Sequence, residues 1–318
     1  MTRFRCPSLV CMFLCVLPTV PTMAQSPAQV LGAIVGLRTH IPPDARTSRS
    51  LGTERTGSGV AIDDNGLILT IGYLILEADS VRVRTGDGEE VVARTIAYDH
   101  ATGFGLVRVH GDLGVSKLEL SNSSDLDVSD PVMVVSSDGP EGVLPATVVD
   151  RREFSGYWEY LLLDAIFVSP PNPLFSGSAL IGPDNRLLGI GSLIVNNAIQ
   201  GEQPQPGNMF VPIYGLKPIL DSLMRTGRDP ASRAGINTDD IILKVGQTPV
   251  STMAGFFRTL WDLGKTGVFV PLTILRNSES ISISVASTDR YQWLKLNPGR
   301  LTAHLTDVQT YPVFTALH

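Results

Sequence analysis

The stretch Gly57-Ser58-Gly59-Val60-Ala61-Ile62-Asp63-Asp64-Asn65-Gly66-Leu67-Ile68-Leu69-Thr70 decides the fold. Two short apolar runs, one on each side of the turn residues Asp64-Asn65-Gly66, read as strands. The same texture continues in both directions. SVRVRT (80–85), VVARTIAY (91–98), FGLVRV (104–109), VMVVSS (132–137), VLPATVVD (143–150), YLLLDAIFV (160–168), SALIG (178–182), LLGIGSLIV (187–195) and MFVPI (209–213) are all short and rich in Val, Ile and Leu. Turn chemistry separates them at Gly86-Asp87-Gly88, Asp138-Gly139-Pro140 and Pro183-Asp184-Asn185. Repeated strands of this kind predict a β-barrel or sandwich. Upstream, residues 31–39 form one more apolar run of strand length, and residues 41–56 read as a loop.

The pattern changes after Pro212. Leu216, Ile219, Leu220 and Leu223 recur at helical spacing, and Gly227 ends that segment. Residues 227–233 read as a linker. A smaller unit follows, with a strand at 240–245, a helix near 253–263, and strands at 268–275 and 280–286 joined by a turn at Asn277-Ser278. Residues 289–318 give no clear pattern.

Composition agrees with a β protein of two or three domains. Of 318 residues, 43% are hydrophobic and 18% charged, enough to bury cores. Gly (30) and Pro (22) are plentiful, which suits many turns. The net charge is −6 and there is no Lys/Arg run, which argues against nucleic acid as a partner.

Residues 1–24 read as a signal peptide. Arg3 and Arg5 precede the apolar stretch Leu9 to Val20, and Thr22-Met23-Ala24 offers small residues before Gln25. The stretch is too short for a membrane anchor. Leu14 before Cys15 and Val10 before Cys11 are too bulky for a lipid-attachment site. All three cysteines (Cys6, Cys11, Cys15) lie in this segment, so its removal leaves no thiol chemistry and moves the charge to −8. The expectation is an exported protein, periplasmic in a Gram-negative cell, with no membrane anchor after processing.

Taken in order, three segments resemble the HtrA/Deg family of exported, trypsin-like serine proteases. They are the Gly57–Thr70 stretch, Ile96-Ala97-Tyr98-Asp99 through Val109, and Phe175-Ser176-Gly177-Ser178-Ala179-Leu180 through Ile190. Met209-Phe210-Val211-Pro212-Ile213 is similar to the strand that closes that family's protease domain. Asp239-Asp240-Ile241-Ile242-Leu243 and Gly246-Gln247-Thr248-Pro249-Val250 resemble the core of a PDZ domain. The resemblance implies a mainly β fold: a trypsin-like double β-barrel over 25–226, then a small, truncated α+β PDZ-like domain over 227–288. The PDZ-like part lacks room for a carboxylate-binding loop and its peptide-pairing strand. A homo-oligomer stays open, trimers being common in the family.

The resemblance places the nucleophile at Ser176, but Tyr73 stands at the family's His position and Gly103 at its Asp position. The intervals, 30 positions from Tyr73 to Gly103 and 73 from Gly103 to Ser176, suit the family. A serine without a base is a poor nucleophile. About one phenol in a thousand is ionised at pH 7. Losing the acid–base partner costs roughly 10⁶-fold in turnover. The oxyanion-hole donors implied are the backbone N–H groups of Leu174 and Ser176, with Leu174 replacing a glycine.

The expected function is therefore binding of polypeptide or a partner protein without hydrolysis, in an old substrate cleft with an apolar pocket lined partly by Leu174 and Phe175. An active serine endopeptidase with an unidentified base, and a scaffold or regulatory subunit of an active relative, stay open as alternatives. His100 is near the site in sequence but sits in a turn. His40, His110, His304 and His318 lack ligand spacing, so no metal is expected, and no cofactor. Lys117, Lys217, Lys244, Lys265 and Lys295 sit in no Ser-Lys motif. Asp63-Asp64 and Glu89-Glu90 read as solvated turns rather than as a calcium site.

Overall fold

The computed structural model describes residues 25–99, 102–109, 113–156, 159, 161–216, 220, 241–264, 268–276 and 279–287. The two quoted runs form strands, and they pair as a hairpin. Strand β2 (Glu54–Ala61) pairs antiparallel with β3 (Leu67–Ile71), Val60 opposite Leu69 and Ala61 opposite Ile68. Asp63 fixes the turn, its Oδ1 accepting the backbone N–H of Asn65 and of Leu67, each at 2.8 Å.

Around this hairpin closes a six-stranded barrel, completed by β1 (Ile34–His40), β4 (Ser80–Arg84), β5 (Glu90–Tyr98) and β6 (Phe104–Val109) in the order β1-β2-β3-β6-β5-β4. A second six-stranded barrel is built from β7 (Pro131–Val135), β8 (Val143–Phe154), β9 (Leu162–Ser169), β10 (Ala179–Ile181), β11 (Leu187–Ile199) and β12 (Gln205–Pro212). β4 shows how the pattern works: Val81 and Val83 are buried, while Ser80, Arg82 and Arg84 face outward. One apolar core runs from the first barrel into the second through residues such as Leu69, Phe104, Phe167 and Ile190. Phe210 and Val134 anchor another in the second barrel.

The run 31–39 is corrected at its start. Leu31–Ala33 belong to helix α1 (Pro27–Ala33), capped reciprocally by Ser26 and Gln29, and the strand begins at Ile34. The expected loop 41–56 also contains the short helix α2 (Ser48–Leu51) and the first residues of β2. Gln25 is sewn into the fold: its side chain donates to the Lys117 carbonyl at 2.9 Å and accepts from the Glu119 N–H at 2.8 Å.

The smaller unit is a four-stranded sheet of β13 (Ile241–Val245), β14 (Thr248–Pro249), β15 (Phe269–Arg276) and β16 (Glu279–Ala286), ordered β14-β13-β15-β16. Helix α3 (Met253–Asp262) packs Phe256, Phe257 and Leu260 against it. Most of the expected helix after Leu216, the linker 227–233, the turn at Asn277-Ser278 and residues 289–318 lie outside the described residues. Leu220 is helical, its N–H donating to the Leu216 carbonyl at 2.9 Å.

Candidate functional site

At the end of β3 the chain enters a single 3-10 turn, Gly72–Leu74. The Gly72 N–H donates to the Gly103 carbonyl at 2.7 Å, which joins this turn to the start of β6. Gly72 lies flat on the Tyr98 ring. A Cβ there would come within 1.8 Å of ring carbons, so no other residue fits without moving Tyr98. Below the turn lies a buried polar clamp. The Arg55 guanidinium donates to the carbonyls of Tyr73 at 2.6 Å and Leu76 at 3.1 Å, and to Thr47 Oγ1 at 2.8 Å. Thr47 in turn donates its hydroxyl and its N–H to Glu77, both at 2.8 Å. Burial lowers the Arg55 pKa to about 10, against the pull of the Glu77 charge.

This turn aims Tyr73 at the second barrel. Its hydroxyl lies 2.8 Å from Ser176 Oγ and donates to the Ser192 carbonyl, also at 2.8 Å. A phenol has one proton, and a carbonyl only accepts. The Ser176 hydroxyl is therefore the donor to Tyr73. The chain of protons runs from Ser176 to Tyr73 and stops at a carbonyl that cannot take one. Burial pushes the Tyr73 phenol well above its ordinary range; the Glu159 charge adds to this and the Ser176 hydrogen bond opposes it. The buried Glu159 carboxylate accepts the Ser192 hydroxyl.

The Ser176 loop is fixed on both sides. The Ser58 N–H donates to the Ser176 carbonyl at 2.8 Å, and the Gly177 N–H to the Gly191 carbonyl at 2.9 Å. The Leu174 N–H donates to Asn172 Oδ1 at 2.8 Å. Asn172 is itself buried and locked to Asn208, accepting from it at 3.0 Å and donating to it at 2.6 Å. The Leu174 amide is thus engaged within its own loop.

Of the residues singled out by sequence, the structure brings Tyr73 against Ser176. Gly103 reaches the site only through its carbonyl on Gly72, and its φ of +84° is a left-handed conformation. Leu174 is 45% exposed beside Ser176. His100, His110, His304, His318, Lys217, Lys265 and Lys295 lie outside the described residues. His40 pairs with Glu54 at 2.7 Å, and Lys117 with Asp64 at 2.6 Å. No cluster of three metal-ligating side chains occurs among the described residues. Asp63 accepts from Arg108 at 3.2 Å.

Sequence reasoning missed Arg55, Asn172, Ser192 and Glu159. For Glu159 a signal existed: a single carboxylate inside the aromatic run Tyr157-Trp158-Glu159-Tyr160. The expected apolar pocket is also corrected. A cavity of about 430 Å³ opens beside Ser176 and Leu174, but Phe175 does not line it. Its walls include Arg38, Arg82, Arg84, Glu90 and Asp138. The reason is topological: the outward faces of β1 and β4, not the nucleophile loop alone, form its wall.

Residues 57–190 match the trypsin-like peptidase domain. The chain is 22% identical over 272 residues to the serine endoprotease DegS of Escherichia coli, covering 72% of this chain and 75% of that one. It is 25% identical over 284 residues to a probable periplasmic serine endoprotease, DegP-like, of Pseudomonas fluorescens, covering 77% and 58%. The fold is similar to that of the HtrA-type protease AlgW with decapeptide, with a TM-score of 0.51 and 16% identity over 85% of this chain and 98% of that one. The chain is thus similar, in sequence and in fold, to HtrA-type trypsin-like serine proteases.

Proposed function

We propose that this protein is an exported, periplasmic HtrA-type homologue that binds polypeptide or a partner protein in its inter-barrel cleft without hydrolysing it. One observation carries the reading: the Ser176 hydroxyl gives its hydrogen bond to a buried phenol, Tyr73, whose own proton is committed to the Ser192 carbonyl. Neutral phenol oxygen is a negligible base, so Ser176 keeps its proton. Two further features support it. The Leu174 amide is turned to Asn172 rather than held available for an oxyanion. Gly103 has no side chain to orient a base. The periplasmic relative supports the location, and a signal peptide over 1–24 belongs to the same proposal. So does the reading of 227–288 as a truncated PDZ-like domain that packs or assembles rather than captures peptide termini.

The test uses the processed protein, a fluorophosphonate probe, and unfolded casein, beside a Ser176→Ala control. The expected result is intact casein that is retained by the protein, with no Ser176-dependent labelling. Labelling or cleavage that disappears in the alanine variant would establish the working endopeptidase instead, with His100→Ala as the next variant. Casein neither cut nor bound, together with a stable partner recovered from the native envelope, would establish the scaffold reading.

A further inference from the structure

We propose that the cleft beside Ser176 selects acidic segments of polypeptide through an arginine cluster formed by Arg38, Arg82 and Arg84. The inference rests on the polypeptide-binding reading above and adds the chemistry of what is bound.

The three arginines come from two separate stretches of sequence, which is why no basic run announces them. Strand pairing brings them together. In the β1–β4 ladder Arg38 stands directly opposite Arg82, and Arg84 lies one outward position further along, opposite Gly36. All three project from the same outward face, since alternate residues of each strand are buried. That face walls the cavity of about 430 Å³ that reaches Ser176. A smaller hollow of about 240 Å³ continues it past Arg38, Arg82 and Glu90 to His40 and Glu54.

Like charges directly opposite each other in a ladder are destabilising. This pair is only loosely compensated. Arg38 lies 3.6 Å from Glu54, and Arg82 lies 3.9 Å from Glu90, both too far for a charge-assisted hydrogen bond. Arg84 has no ion pair among the described residues. The acids lining the main cavity, Glu90 and Asp138, are fewer than its arginines. The cluster thus keeps unused guanidinium donors that fit carboxylates bidentately. A carboxylate placed between Arg38, Arg82 and Arg84 would relieve their repulsion and complete those hydrogen bonds. Nucleic acid is the less favoured anion. Its binding needs many phosphate contacts along a basic stripe, whereas this chain carries a net −6 and a short, walled cluster.

The experiment is fluorescence anisotropy on the processed protein with a labelled decapeptide carrying three glutamates, its all-glutamine counterpart, and a single-stranded oligonucleotide of similar length. The acidic peptide should bind at least about tenfold more tightly than the glutamine one, a difference of about 1.4 kcal/mol, because only its carboxylates can accept charge-assisted hydrogen bonds from the arginines. High salt should erase the preference. Arg84→Gln and Arg38→Gln, each checked by a thermal melt, should each remove most of it. Equal binding of the two peptides, a preference indifferent to salt, or variants that keep the preference would overturn the acidic selectivity and leave polypeptide binding standing. Binding of neither peptide would remove the polypeptide-binding reading itself. An oligonucleotide bound as tightly as the acidic peptide would show that the occupant is misassigned.

Discussion

The backbone N–H of Leu174 donates to the side-chain oxygen of Asn172 at 2.8 Å. Under the non-hydrolytic function proposed above, this bond is a second obstacle beside the two missing side chains. A Tyr73→His, Gly103→Asp double variant regains an imidazole and a carboxylate but leaves the Leu174 amide engaged. It should show at most trace fluorophosphonate labelling of Ser176. Adding Asn172→Ala frees the amide while the backbone of residue 172 keeps its bonds to Asn208. The triple variant should label about a hundredfold faster, the low end of what one oxyanion donor contributes. Full labelling of the double variant would show that Asn172 is no obstacle. Gly103→Asp places a side chain at φ +84°, so a loss of about 1 kcal/mol should accompany it in urea denaturation.

Tyr73→Phe removes the donor to the Ser192 carbonyl and the acceptor of the Ser176 hydroxyl. Stability should fall by about 1–3 kcal/mol, the cost of leaving buried polar groups unpaired. Chemical denaturation measures it. A neutral result would mean that water replaces the phenol at both positions.

The same substitution gives a pH test. In the unfolded chain Tyr73 ionises near pH 10, whereas burial holds it neutral to higher pH in the folded protein. Above that pH the unfolded state has released a proton that the folded state retains, so the Tyr73 contribution to stability declines as pH rises. The advantage of the wild type over Tyr73→Phe should shrink between about pH 8 and about pH 11. An advantage that grew over this range would contradict a neutral, buried phenol.

Arg55→Met should be the most damaging change near the site. It strips the donor from the Tyr73 and Leu76 carbonyls and removes the Arg55 charge from beside Glu77. Removing one member of a buried charged cluster costs about 3–5 kcal/mol. Adding Glu77→Gln should restore part of that loss. Urea melts of the two variants provide the comparison, and an additive loss would separate the two side chains energetically.

Strand-level structure was largely legible because side-chain period and turn residues are local properties. The stretch from Gly57 to Thr70 could be read as two strands and a turn from its own residues. Ser176 and Tyr73 were singled out by resemblance, and the structure brings their hydroxyls within 2.8 Å of each other. The rest depended on contacts remote in sequence. Arg55, at the start of β2, is linked through Thr47 to Glu77 in the segment before β4, and Asn172 meets Asn208 because β9 and β12 are neighbours in the second barrel. Arg38 and Arg82 face each other only because β1 and β4 happen to be neighbours in a closed barrel. The start of the first strand was misplaced because Leu31-Gly32-Ala33 is apolar in either conformation; the Ser26 and Gln29 cap, overlooked, decides for helix.

Gly72 pressed on the Tyr98 ring carries a lesson for interpreting variation. Mutational scanning would score this turn as intolerant whether or not any bond is ever cut there, because steric fit alone forbids a larger residue. Drift can erase the reacting groups of such a site while the mould around them persists. Depth of selection at position 72 is therefore a record of shape, and only the residues facing solvent across the cleft can register a change of trade.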